Sequence, residues 1–349
     1  MRSADDNHHF VPENIMLKIA ILGAGRIGQV HAANVALHPR AQLAAVADPF
    51  IENARALTTS WGGIAVGDPL EVINHPDIDA VVIGTPTDTH VELMLAAVNA
   101  GKAVLCEKPV DLDIQKAVAA EQALGTSAGR VMLGFNRRFD PGFNEIHRRI
   151  RQGDIGDLHQ VIITSRDPGL APLNYLKHSG GIFRDMVIHD FDLARWILGE
   201  EPVEVFATGS RLFAPSLQAL GDYDTVMVQL RTASGKQCQI NCSRQAIYGY
   251  DQRLEAFGSG GMLMNDNQRE TTVRHFGEQE TDVRGPLLNF FMQRYTDAYR
   301  LEIDAFITAI GEGAPVPVSV HDGCQALRLA DAAQHSADTH QAVRLDGGR

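Results

Sequence analysis

From Leu17 onward, short apolar runs alternate with segments whose apolar residues recur every three or four positions. LKIAIL (Leu17–Leu22) reads as a buried strand, and Arg26–His38 as the amphipathic helix that follows it. QLAAVAD (Gln42–Asp48) is the next strand, with a helix opening near Glu52. DAVVIG (Asp79–Gly84) is another strong strand and precedes a helix over Asp88–Asn99, while KAVLCE (Lys102–Glu107) and RVMLGF (Arg130–Phe135) add two more strands. Strands alternating with helices of this length form βαβ units and a parallel sheet, and continuous apolar runs mean that both faces are covered.

Beyond Asn136 the pattern changes. A helix at Phe143–Gln152 precedes a long strand at Leu158–Ser165, a loop containing Pro and Gly reaches Gly181, and a helix spans Asp185–Leu198. VEVFATG (Val203–Gly209), DTVMVQLRT (Asp224–Thr232), KQCQINCSR (Lys236–Arg244) and QRLEAFG (Gln252–Gly258) alternate with period two. That period marks antiparallel strands with one covered face. Helical segments at Asn289–Ile310 and His321–His335 close the chain. The predicted fold class is α/β, with a doubly wound parallel sheet over residues 17–136 and an α+β unit over 137–349 whose large, mostly antiparallel sheet is open on one face. Residues 1–16 read as a polar tail, and the last helix is placed to pack back on the first unit.

Composition narrows the function. The 349 residues are 44% hydrophobic and 21% charged, an ordinary globular mixture that excludes a disordered or fibrous chain. A net charge of −12 argues against nucleic acid or an anionic membrane surface as partner. No run approaches the roughly 18 apolar residues needed to span a bilayer. The polar start lacks the apolar core of a secretory signal, and Cys106, Cys238, Cys242 and Cys324 form neither a disulfide framework nor zinc spacing. Reduced thiols in a cytoplasmic enzyme are the expectation.

Gly23-Ala24-Gly25-Arg26-Ile27-Gly28 follows the first strand and opens the first helix. The first glycine permits the tight turn, the second lets a pyrophosphate approach the backbone, and the third lets helix and strand pack closely. Asp48 ends the second strand about 20 residues further on, where a carboxylate accepts the ribose hydroxyls and repels a 2′-phosphate, so NAD is favoured over NADP. The same residue is also suited to cap the helix that follows it. Thr85 and Pro86, at the carboxyl edge of the Asp79–Gly84 strand, would line the nicotinamide side of the crevice.

Two further features suit hydride chemistry. Glu107-Lys108-Pro109 ends an apolar strand on that same edge, where an ammonium can hydrogen-bond a substrate hydroxyl and help shift its proton. Asp185 and His189 are four apart on a helix, a spacing that puts carboxylate and imidazole on one face and makes the histidine a candidate general base. Asp192 follows near enough to suggest a cation set, but a hydride leaving to NAD needs no Lewis acid, so no metal is expected.

Several segments together resemble the glucose-fructose oxidoreductase / inositol dehydrogenase / MocA family, and within it the inositol 2-dehydrogenases. They are the glycine loop, Thr85-Pro-Thr-Asp-Thr-His90, Glu107-Lys-Pro109, Gly134-Phe-Asn-Arg-Arg-Phe-Asp140, Arg184-Asp-Met-Val-Ile-His-Asp-Phe-Asp192 and Tyr248-Gly-Tyr-Asp251. The resemblance implies Lys108, Asp185 and His189 as the catalytic triad. It also implies cofactor contacts from the glycine loop, Asp48, Thr85, Pro86, His90, Glu107 and Lys108. A polyol pocket would be lined by Lys108, Asn136, Arg137, Asp167, Asp185, His189, Tyr250 and His321, and the assembly would be a homotetramer packed through the open sheet. Ser165 stands where a histidine is common in myo-inositol enzymes, and His321 where an aromatic residue is common, so myo-inositol, scyllo-inositol and a pyranose sugar all stay open as substrates. His321 is equally placed to begin the last helix. A non-catalytic NAD-binding sensor on the same fold is the reading from another class.

Overall fold

The structure, a computed structural model, describes residues 16–345. The expected tail, Met16 apart, lies outside the described residues. The first sheet is parallel and six-stranded in the order β3-β2-β1-β4-β5-β6. Its strands are β1 (Leu17–Leu22), β2 (Ala41–Ala47), β3 (Ile64–Val66), β4 (Ala80–Ile83), β5 (Ala103–Cys106) and β6 (Val131–Leu133). Helices α1 (Arg26–Ala36), α2 (Ile51–Trp61), α3 (Pro69–Ile73), α4 (His90–Asn99) and α5 (Ile114–Leu124) connect them. Strand order reverses between β1 and β4, and a crevice opens at the carboxyl ends of those two strands. β3, α3 and α5 go beyond the elements read from the sequence; β3 is only three residues long and too short to show a period.

The second sheet has seven strands in the order β12-β11-β7-β10-β9-β8-β15. After α6 (Pro141–Arg151) come β7 (Leu158–Arg166), α7 (Leu173–Leu176), α8 (Ile188–Leu198), β8 (Pro202–Ser210), β9 (Thr225–Thr232) and β10 (Gln237–Ser243). These are followed by β11 (Asp251–Gly258), β12 (Gly261–Asn265), the small pair β13 (Arg274–His275) and β14 (Val283–Arg284), α9 (Phe291–Arg294), α10 (Thr296–Glu312), α11 (Val320–Thr339) and β15 (Val343–Arg344). β10 runs parallel to β7 and the other pairings are antiparallel, so the sheet is mixed. Val161, Ile163, Val228, Ile240 and Leu254 point inward onto α8 and α11 and are buried. Their alternates Ile162, Phe206, Met227 and Phe257 are exposed on the outer face.

The last two long helices return to the first sheet. α10 packs on α1, and α11 packs on α5 and β6. The Leu133 N–H donates to the Val318 carbonyl at 3.1 Å, fastening the approach to α11 onto β6.

The crevice is held open by missing side chains. Gly23 has φ +96°, and a Cβ there would lie 2.7 Å from the Gly84 carbonyl oxygen across the switch point. A Cβ on Gly28 would lie 1.9 Å from the Gly23 oxygen, whereas one on Gly25 meets nothing within 4 Å. The two glycines therefore fail differently. Gly28→Ala should force α1 off β1 and cost about 1–3 kcal/mol of stability in denaturant unfolding of the cofactor-free protein. Gly25→Ala should leave that stability within about 0.5 kcal/mol, and calorimetry should show it weakening dinucleotide binding by about tenfold or more, because its methyl occupies the space where a phosphate must meet the backbone.

Candidate active site

The glycine turn and Asp48 are built as one unit. Oδ2 of Asp48 accepts the Ala24 N–H at 2.8 Å, and Oδ1 accepts the Phe50 N–H at 2.9 Å. Phe50, not Asp48, is the N-cap of α2, so the capping role does not hold; the aspartate instead ties the glycine turn to the end of β2. Arg26 opens α1 on the surface and lies over the ring of Phe290 at 6.0 Å, while the Ile27 side chain fills the space beside Gly84. Across the crevice, Thr85 accepts the Thr89 hydroxyl at 2.7 Å, and Pro86 stays exposed at the rim.

His90 is buried rather than presented to a cofactor. Its Nδ1 lies 2.8 Å from the Pro109 carbonyl and its Nε2 2.9 Å from the Thr85 carbonyl. It clamps the two loops of the crevice edge together. Glu107 likewise turns inward, with Oε1 2.7 Å from His31 Nε2. Both ring nitrogens of His90 and Oε1 of Glu107 are thus taken by protein partners.

Lys108 behaves differently. Its Nζ donates to the Asp185 backbone carbonyl at 2.8 Å, the one protein acceptor it has among the described residues. Lys102, which is fully buried where Lys108 is half-buried, gives its Nζ to two carbonyls, those of His75 and Ile78, at 2.7 Å each. A satisfied structural lysine looks like Lys102; Lys108 keeps donor capacity in hand for a ligand. Burial pushes its ammonium pKa down, an effect that the nearby Asp185 and Glu107 oppose.

The expected Asp185–His189 pair is not formed. Phe183–Val187 is a π turn ahead of α8, wider than an α-helical turn. The Asp185 carboxylate instead accepts the Tyr175 hydroxyl at 2.7 Å and Arg244 Nη1 at 3.2 Å. His189 makes no hydrogen bond among the described residues, and its Nδ1 is buried, which leaves Nε2 to meet a ligand. Burial, then the charges of Lys108 and Arg137, hold this imidazole well below its ordinary pKa. It is neutral at pH 7 without a carboxylate to orient it, and a neutral imidazole can accept a proton.

The comparisons with known proteins can be set against this geometry. Residues 17–135 match a model described as "Oxidoreductase family, NAD-binding Rossmann fold", and residues 147–345 match its companion, "Oxidoreductase family, C-terminal alpha/beta domain". The chain belongs to the GFO/IDH/MocA oxidoreductase family. It is similar to an inositol 2-dehydrogenase of Rhizobium meliloti, 49% identical over 94% of this chain and 99% of that one. The crystal structure of a myo-inositol dehydrogenase from Corynebacterium glutamicum superposes with a TM-score of 0.93 at 49% identity, covering 95% of this chain and 100% of that one. A scyllo-inositol dehydrogenase from Lactobacillus casei, solved with bound NAD(H) and scyllo-inositol, superposes with a TM-score of 0.87 at 30% identity, covering 94% and 99%.

This GFO/IDH/MocA chain has the residues that an NAD-binding Rossmann fold requires. Gly25 leaves the turn open to a pyrophosphate, and Asp48 stands behind it with no ion-pair partner among the described residues. Asn136, expected in the polyol pocket, is buried with an Nδ2 that has no partner among the described residues. Around Lys108 and His189, Asp167 has its carboxyl raised to about 7 by burial and by Asp185. Tyr250 is buried edge-on to Tyr295 and Phe290. Arg137 is buried in an ion pair with Asp190, and it donates to Ser165 Oγ at 3.2 Å. That leaves Arg137 a charge beside the site more than a free donor in it.

His321 is not brought to the site. It sits 58% exposed in the first turn of α11, with Nδ1 2.9 Å from Glu121 Oε1 on α5. The reason is local: Ser319 and Asp322 form a capping box that starts the helix at Val320 and turns His321 outward. Two residues missed in the sequence, Tyr175 and Arg244, hold the Asp185 carboxylate. Tyr175 lies in the short helix α7, within the segment read as a loop, and Arg244 ends the Lys236–Arg244 run just past β10, so neither pattern pointed to Asp185.

The electrostatics give a direct check. The His189 ring resonances should stay those of a neutral imidazole when the pH is lowered through about 6.5, the ordinary midpoint. Lys108→Met, which removes one of the two depressing charges, should move the His189 midpoint upward. An ordinary midpoint in the parent protein would contradict this electrostatic account.

Proposed function

We propose that this protein is an NAD-dependent inositol dehydrogenase that oxidises one ring hydroxyl of myo- or scyllo-inositol to a ketone. The observation that carries the reading is the convergence of Lys108 Nζ and a neutral, unpartnered His189 beside Asp185, at the carboxyl edge of the sheet bearing the glycine turn. A sensor would need the dinucleotide crevice but neither a proton acceptor nor a half-buried lysine with donor capacity to spare. The named relatives are inositol dehydrogenases along almost their full length, which supports a cyclitol over a pyranose.

In this reading Lys108 donates a hydrogen bond to the reacting hydroxyl and stabilises negative charge as it develops on the oxygen. His189 Nε2, on a neutral imidazole, takes the hydroxyl proton. Bound NAD supplies the acceptor for the hydride that leaves the ring carbon. Asp185, held by Tyr175 and Arg244, together with Asn136, Asp167 and Tyr250, would take the remaining hydroxyls, since each one buried without a partner costs about 1–3 kcal/mol.

The same reading divides the chain into an NAD-binding unit over 17–136 and a substrate and oligomerisation unit over 137–349. It places the enzyme in the cytoplasm, with buried, free cysteines, as a homotetramer. Exposed Ile162, Phe206, Met227, Phe257, Met262 and Met264 on the second sheet support self-association through that face.

Absorbance of NADH, followed with myo-, scyllo- and D-chiro-inositol beside D-glucose, D-xylose and D-galactose, tests the function. Turnover of one inositol with NAD is expected; preference for a pyranose overturns the cyclitol assignment. Measurable NAD binding with no turnover favours the sensor. Lys108→Ala should lower kcat by about 10²-fold or more with dinucleotide affinity changed by less than about threefold. The Asp167 carboxyl is neutral below its raised midpoint of about 7 and an anionic acceptor above it. kcat/KM should therefore rise with pH through that region, and Asp167→Asn should abolish the limb.

A further inference from the structure

Behind the crevice, three buried groups from three different elements meet: His31 of α1, Glu107 at the end of β5 and Glu302 of α10. One ligand-type atom from each lies within 4.8 Å of the others. His31 Nε2 and Glu107 Oε1 are in hydrogen-bond contact at 2.7 Å. A ring that donates from Nε2 leaves Nδ1 bare, and Nδ1 is indeed buried without a partner. Both oxygens of Glu302 are also buried without a partner, and the residue is 0% exposed. Among the described residues no lysine or arginine pairs with Glu302; apart from His31 and Glu107, the ionisable neighbour is Tyr299, one helical turn away and edge-on to His31 at 5.8 Å.

An ionised carboxylate in this place would be a second buried negative charge beside Glu107, with no protein donor to its oxygens among the described residues. Burial and Glu107 both push the Glu302 carboxyl far above its ordinary range. A proton on Glu302 removes the charge and supplies a donor for the neighbouring carboxylate. A metal ion would neutralise the group too, but ligands around a tetrahedral ion stay about 3.3 Å apart, and the His31–Glu107 contact is shorter than that, at 2.7 Å.

We propose that Glu302 is a positioning residue, held protonated at neutral pH, whose proton is shared with Glu107 and fastens α10 to the strand end that carries Lys108. His31 completes the unit from the helix opened by the glycine turn. One buried proton thus joins the dinucleotide loop, the lysine and the returning C-terminal helix. Gly134 makes the room, since a Cβ there would lie 2.9 Å from Glu107 Oε2. The consequence for turnover rests on the dehydrogenase reading; the protonation does not, and the two are measured separately.

Difference infrared spectroscopy near neutral pH should show, in the parent enzyme, a carboxylic-acid C=O stretch that shifts in D2O and is missing from Glu302→Gln. In the assay, Glu302→Ala should lower kcat by about tenfold or more, through displacement of Lys108. Glu302→Gln, neutral and of the same shape, should restore kcat to within about threefold of the parent. Absence of the band from the parent, its survival in Glu302→Gln, or a Glu302→Gln variant as impaired as Glu302→Ala would each overturn the proposal. So would one equivalent of divalent metal in the purified enzyme that Glu302→Gln fails to bind. If no inositol or sugar is turned over, the infrared band alone still decides the protonation.

Discussion

A half-buried lysine ammonium at the edge of a sheet needs acceptors, and Lys108 finds one in the backbone carbonyl of Asp185. That single hydrogen bond reaches from the end of β5 to the π turn ahead of α8, and so from one sheet to the helix covering the other. Much of the remaining structure serves it. β4, β5 and β6 deliver the lysine to the carboxyl edge, His90 clamps the loops on either side, and α10 and α11 return to hold the two units in register.

The site then works by distributing few charges in little water. Lys108 and Arg137 press the proton off His189, while Asp185 and burial press a proton onto Asp167. The arginine does this from within an ion pair with Asp190, so it contributes field without being available to leave its place. Asp185 is fixed by Arg244, which Asp222 holds in turn at 2.9 Å. A chain of buried pairs of this kind is a poor source of net stability but a good source of fixed geometry, because breaking any one member strands a charge.

Much of this was legible in the sequence. The period-two and continuous apolar runs located the long strands of both sheets, and the glycine turn, Asp48 and Lys108 were legible because each stands just past the end of an apolar strand, on the carboxyl edge. The reading weakened where partners are distant. Glu107 and His90 carry the right chemistry, but their side chains are claimed by His31 and by two carbonyls, contacts invisible in one dimension. Of the two readings of His321, a place at the start of the last helix holds and a pocket contact does not, because the Ser319–Asp322 capping box sets its direction. Arg244 and Tyr175, the true partners of Asp185, lie 59 and 10 residues from it. Spacing alone could not show that these two groups claim the Asp185 carboxylate in place of His189.

The π turn has a further meaning when read as length. A wider turn is what one extra residue makes when it is lodged in a helix without disturbing what precedes or follows it. Removing one residue from Phe183–Val187 would let a regular helix run straight into α8, its anchoring in the core intact. Everything upstream would then rotate by about 100°, one residue's step of an α-helix. The fold would survive, but the carbonyl that receives Lys108 would point elsewhere. The reactive geometry of this protein is thus stored in a count of residues as much as in their identity.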